Sequence, residues 1–149
     1  MMFAIAACGV LKGMSFVIEG FSAVGIYFPE ILKKFTASNF YTTLGLVEAP
    51  IIFPFLINML MISFFKNSIS GNYIEYIFPF LYLFFGYVVS FVSYSSGKVS
   101  KENIFTISEN KNVTKEIFSL NFITQVLLDA RVIYLFIIIF LLILKLKLF

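Results

Sequence analysis

"TLGLVEAPIIFPFL" occupies residues 43–56. It lies inside an apolar run, residues 41–65, that is long enough to cross a bilayer as a helix. Near the middle of that run stands Glu48, and Pro50 follows two residues later. A carboxylate in a membrane helix is costly, so it is read first as a functional group. Pro50 has no N–H, so the carbonyl of Leu46 loses its helix partner. The expectation is a kink there, or a protonated Glu48 donating to the freed oxygen. Gly45, a turn earlier, leaves room for a close helix neighbour or for the Glu48 side chain to turn.

The rest of the chain sets the class. Of 149 residues, 60% are hydrophobic and 13% charged, more apolar surface than a soluble domain of this size can bury. Four segments reach membrane length: Met2–Tyr27 and residues 41–65, 73–94 and 122–144. Unpaired backbone groups are not tolerated in lipid, so all four are expected to be helices. The expected fold is therefore an all-α, multi-pass integral membrane protein. Its four transmembrane helices form two antiparallel hairpins, residues 1–66 and 73–149. The first segment lacks a basic flank and a cleavage pattern, and reads as a retained helix. Histidine is absent, which excludes histidine metal sites and histidine acid–base catalysis. Cys8 is the one cysteine, so no internal disulfide forms, and it reads as a small packing residue. The net charge of +3 is spread over loops and tail and gives no nucleic-acid signature. No metal, cofactor or catalytic residue is expected.

The connections differ. Residues 28–39 form a short turn and residues 66–72 a tight polar one. Residues 95–121 alternate Lys with Glu and read as a long solvated cytoplasmic loop, with or without a helical extension. Lys33, Lys34, Lys98, Lys101, Lys111 and Lys115 fall in the first and third connections. Only Lys66, Lys145 and Lys147 fall on the other side, so the first and third connections are expected in the cytoplasm. The sequon at Asn112 would then go unmodified.

An internal repeat is visible. "SNFYTTLGLVEAPIIFPF" resembles "LNFITQVLLDARVIYLF" once one gap is allowed, and Glu48 falls on Asp129. Apart from Glu75 at the start of the third span, the spans hold five charges: Lys12, Glu19, Glu48, Asp129 and Arg131. Lys12 and Glu19 share a helix face about 10 Å apart, so they pair only if both reach. Asp129 and Arg131 are two apart and point to different sides, leaving Arg131 free to serve another helix. If these four compensate one another, Glu48 is left over. An unpaired carboxylate in low dielectric favours its protonated form. Glu48 is thus the expected proton-binding group, with Asp129 a second candidate. In the first span Gly9 and Gly13 make a GxxxG step, with Gly20 and Gly25 beyond it.

"GFSAVGIYFPEI" followed by "SNFYTTLGLVEAPII" resembles the first hairpin of the ring-forming proteolipids of rotary ATPases, the c-type subunits. The doubled hairpin is similar to the V-type members, and an acid in the first hairpin is similar to their c″-like variant. The resemblance covers residues 3–64 well and 73–149 thinly. The third span has only Gly86 where that family has several glycines. Lys12, Glu19 and Arg131 also depart from the family pattern. The resemblance implies a proton-translocating rotor ring in which Glu48 is the essential acid and Asp129 a weaker candidate. It implies other ring proteolipids, a stator a-type subunit, central-stalk subunits and lipid as partners. It also implies an acidic endomembrane such as the vacuole in a eukaryote, or the plasma membrane in a prokaryote. The chain would hold no ATP itself, since no GxxxxGK[ST] motif is present.

A sodium ring needs extra oxygen ligands around its acid. Ala49 and Pro50 offer none, and Thr42, Thr43 and Asn58 are too far along the helix, so Glu48 suits protons. Two other classes fit the same composition. One is a structural or assembly subunit of another membrane complex. The other is a small proton-coupled transporter subunit using Glu48 and Asp129 as a relay.

Overall fold

A computed structural model describes residues 1–32, 37–65, 74–109 and 114–147. Six α-helices follow in order: α1 (Met2–Tyr27), α2 (Pro29–Leu32), α3 (Ala37–Glu48), α4 (Ile52–Phe65), α5 (Ile74–Glu109) and α6 (Thr114–Lys147). No strand occurs among the described residues. Four stretches are long and apolar enough to cross a membrane: Met2–Tyr27, Phe40–Ile62, Pro79–Thr106 and Asn121–Leu144. Length and composition mark the chain as an integral membrane protein. Large apolar side chains such as Phe80, Tyr87, Phe91, Ile62 and Leu141 lie exposed on its outside. Water would make that surface an aggregation liability, whereas lipid accepts it.

Two sequence readings are refined. The disturbance expected at Pro50 within the run 41–65 is present. Around Pro50 the chain tightens into a 3-10 turn, Ala49–Ile51, between α3 and α4. A proline leaves the carbonyl four residues back without its α-helical donor, and a tighter turn absorbs the misfit.

The second is a correction and concerns residues 95–121, which are not a solvated loop. α5 continues unbroken to Glu109 and α6 begins at Thr114. At 36 residues α5 is about 54 Å long. Its buried positions Val92, Ser93, Ser96, Gly97, Ser100 and Ile104 recur at helical spacing. Serine and glycine there form a packing seam, and the charged residues lie on the other faces. Lys33, Lys34, Lys66, Lys111 and Asn112 lie outside the described residues.

The most extensive interhelical contact joins α1 to α5. Glycines on both helices make it possible. A Cβ on Gly9 would collide with the backbone of Ser90, and one on Gly97 with the backbone of Gly13. A Cβ on Gly86 would come within 2.8 Å of Met2. Gly20 faces the Cα of Lys101, 3.3 Å from where a Cβ would stand. Lipid tails are as apolar as leucine, so close backbone fit rather than exclusion from water holds such a pair. The partners rise together along both helices, so α1 and α5 run parallel. Phe21 packs edge-on against Phe40, whereas Gly13 faces Val47, so α3 runs opposite to α1. Asn103 bonds to Asn121 and Ser100 to Gln125, so α6 runs opposite to α5.

Two apolar clusters result. One gathers Phe85, Val89 and Val92 with Ile57, Val132 and Ile139. The other gathers Val17, Phe21, Val24 and Val47 with Ile104. Between them α5 and α6 carry a belt of buried polar side chains: Ser93, Ser96, Ser100 and Gln125.

Candidate functional site

Glu48 and Asp129 occupy the same place in their spans. Each stands eight residues past the first residue, Phe40 to Glu48 and Asn121 to Asp129. Phe53 packs on Phe136, with ring centroids 5.3 Å apart, so α4 and α6 touch there.

Their surroundings differ. Glu48 is exposed. It ends α3 at the 3-10 turn, and its carboxylate makes no ion pair or hydrogen bond among the described residues, so none reaches the Leu46 carbonyl. Tyr41, Gly45, Glu48, Ile52, Phe55, Met59 and Ile62 are all exposed at helical spacing. Glu48 is the one charged member of that outward stripe. Gly45, one turn away, is open, with nothing within 4 Å of where its Cβ would stand. No close helix neighbour among the described residues uses it. Pro50 is buried, Leu46 half-buried, and Val47 fully covered against α1. The inward residues thus anchor this stretch while its acid points away from the bundle.

Asp129 is half-buried on the inward side of α6, one turn from the fully buried Gln125. Its Oδ1 is buried without a hydrogen-bond partner. Arg131 is exposed and pairs with no acid among the described residues. Asp129 and Arg131 thus point to different sides, as two residues of helix turn them about 200° apart, and Arg131 serves no acid on another helix among the described residues.

The first-span charges are also re-paired. Glu19 accepts from Lys101 at 2.8 Å, not from Lys12. Lys12 instead lies over the Phe16 ring, 5.5 Å from its centroid, and Lys101 lies 5.6 Å from the same ring. A cation over an aromatic face is attracted by the ring quadrupole. Lys101 was out of consideration as a partner while residues 95–121 were read as a loop. Cys8, expected to be a packing residue, is exposed.

The polar belt beside Asp129 is the feature that sequence reasoning missed. Its signal was the spacing of Ser93, Ser96 and Ser100, the last two of which lie in residues 95–121, a stretch that composition alone assigned to solvent. A separate small cavity, lined by Ile57, Met61, Phe85 and Ile139, is apolar, and Tyr82 at its edge donates to Asn58.

Compared with protein-family models, with curated proteins and with solved structures, the chain matches none of them.

Proposed function

We propose that this chain is a membrane-embedded rotor-ring subunit of a V-type or related rotary ATPase that carries protons on Glu48. One observation carries the reading. Glu48 is the unpaired charge of an outward stripe at mid-span, presented at a proline-induced 3-10 turn beside the open Gly45. A carboxylate placed there crosses lipid only in its neutral form. It loses its proton where a basic group and water wait, and regains one from the other side.

On this reading the helices form two antiparallel hairpins, residues 1–66 and 73–149. The order of contacts along α1, α3, α5 and α6 supports that arrangement. The glycine-packed α1 and α5 are the inner pair, and α3–α4 and α6 the outer pair. The ends of α1 and α5 near Phe21 and Ile104 collect on one side of the bundle, with the start of α3 and of α6. Both basic connections leave from that end, which suits a cytoplasmic face meeting a central stalk. Other copies or ring proteolipids, a stator subunit and lipid complete the partners. The nucleotide site would belong to another subunit.

The test is Glu48→Gln in the assembled complex. The amide keeps the shape of the protonated acid, so assembly is retained and proton transport is lost. Normal pumping by this variant would remove the carrier role and leave the structural-subunit reading.

A further inference from the structure

The outer groove between α1 and α5 carries a second cluster of charge. Lys12 and Phe16 stand one turn apart on α1, and Glu19 follows on the same face. Lys12 Nζ and Lys101 Nζ lie 5.5 and 5.6 Å from the centroid of the one Phe16 ring. Tyr94 packs edge-on against that ring, with centroids 5.3 Å apart. Lys98 comes one turn after Tyr94 and is exposed, as is Lys12. The Phe16–Tyr94 contact thus brings three lysines to one groove. Lys101 donates to Glu19 at 2.8 Å. Lys12 and Lys98 have no acid within ion-pair distance among the described residues, not even Glu102 one turn beyond Lys98. The groove therefore presents two cations without counter-charge.

On one side of the lysines the same face of α5 is apolar. Phe84, Tyr87, Phe91 and Tyr94 are exposed at helical spacing and lead directly to Lys98 and Lys101. From Phe84 to Tyr94 the stripe measures about 15 Å, half of the ~30 Å hydrocarbon core of a bilayer. That is the reach of the acyl chains of one leaflet. On the other side of the lysines the outside of α5 is polar, with Glu102, Thr106 and Glu109 exposed. Tyrosine and lysine between the two suit the junction of an acyl chain with its headgroup.

The chemistry of the lysines narrows the headgroup. Ammonium groups only donate, and phosphate-ester oxygens accept with charge assistance. Lys101 spends one of its three protons on Glu19 and keeps two for a further acceptor. Glu19, the acid inside the groove, is already held by Lys101, so the ammonium of a zwitterionic headgroup finds no free counter-charge there. A headgroup with net negative charge meets Lys12 and Lys98 without that cost.

We infer that the α1–α5 groove binds an anionic phospholipid, its phosphate on Lys12, Lys98 and Lys101 and an acyl chain along Phe91, Tyr87 and Phe84. Glu48 takes no part: it stands on α3, which packs on another flank of α1 through Phe40 and Phe21. The lipid site and the carrier role of Glu48 each stand without the other.

The test is native mass spectrometry of the full chain in detergent micelles, with phosphatidylglycerol or phosphatidylcholine of the same acyl chains at one ionic strength. Phosphatidylglycerol is expected to be retained about tenfold better. Lys12→Gln combined with Lys98→Gln should remove that preference. Arg131→Gln, which removes an exposed cation from α6, should keep it. Glycerol phosphate offers the same phosphate chemistry without acyl chains and should not displace the lipid at equal concentration. Displacement by it would make the groove a free-phosphate site and overturn the lipid assignment. If the double variant does not fold, the wild-type comparison of the two lipids decides alone. Equal retention of both lipids by the wild-type chain, or an unchanged preference in the folded double variant, overturns the site.

Discussion

Lys101 Nζ lies 2.8 Å from Glu19 Oε2, joining positions 82 residues apart. The pair ties the polar continuation of α5 to the second half of α1, beside the place where Gly20 meets the Lys101 backbone. Lys101→Glu sets two acids against each other and should loosen this end. Glu19→Lys combined with Lys101→Glu should restore it. Thermal unfolding of the detergent-solubilised chain reads the effect. Equal melting of the single and double variants would show that the pair orders nothing.

The glycine seam predicts a contrast. Gly13→Val pushes side-chain atoms into the Ser93 carbonyl and should cost about 1–3 kcal/mol by overpacking. Gly45→Ala adds a methyl to open space in a helix and should gain about 0.5–1 kcal/mol. Denaturant titration of the detergent-solubilised chain measures both. Impaired transport by a stable Gly45→Ala variant would mark this open position as a partner contact.

For the two acids, carbodiimide should label Glu48 faster than Asp129, because one is exposed and the other half-buried. Glu48→Gln should lose the fast-labelled site without changing the melting temperature. Preferential labelling of Asp129 would reverse the assignment of the outward-facing acid.

Arg131 has no acid to neutralise among the described residues, so Arg131→Gln should change stability by less than about 0.5 kcal/mol. Asp129→Asn should be tolerated as well, because Asp129 has no ion pair among the described residues to lose. Had Arg131 been a buried counter-ion, loss of Asp129 would have been strongly destabilising. Urea unfolding of the two variants separates these outcomes.

Topology is read with cysteines at Glu30 and Glu109, both exposed and both beyond the same end of the bundle. They should react with an impermeant maleimide from one side of the membrane, and a cysteine at Met1 from the other. Reaction of Glu30 and Glu109 positions from opposite sides would break the proposed hairpin order.

Much of the architecture was legible in the sequence. Long apolar runs have few ways to satisfy their backbones in lipid, so helix count and approximate bounds follow from composition for the first, second and fourth spans. The third was misjudged because serine, glycine and lysine were taken as signs of solvent. In a membrane bundle, small residues mark the places where backbones touch. Helical spacing at Ser93, Ser96, Gly97 and Ser100 carried that information, and average polarity hid it.

The sequence by itself determined the class of the protein and the chemical oddity of Glu48, an acid inside an apolar run. Those properties are local, set by residue type and by distance along the chain. The tertiary structure decided the partners: Lys101 for Glu19, the Phe16 ring for Lys12, and Ser100 for Gln125. It also decided that one acid faces outward and the other inward. Pairing depends on which helices lie side by side and in what register. That is set by the glycine seam between α1 and α5, where contacts join residues about 80 positions apart that no local pattern connects.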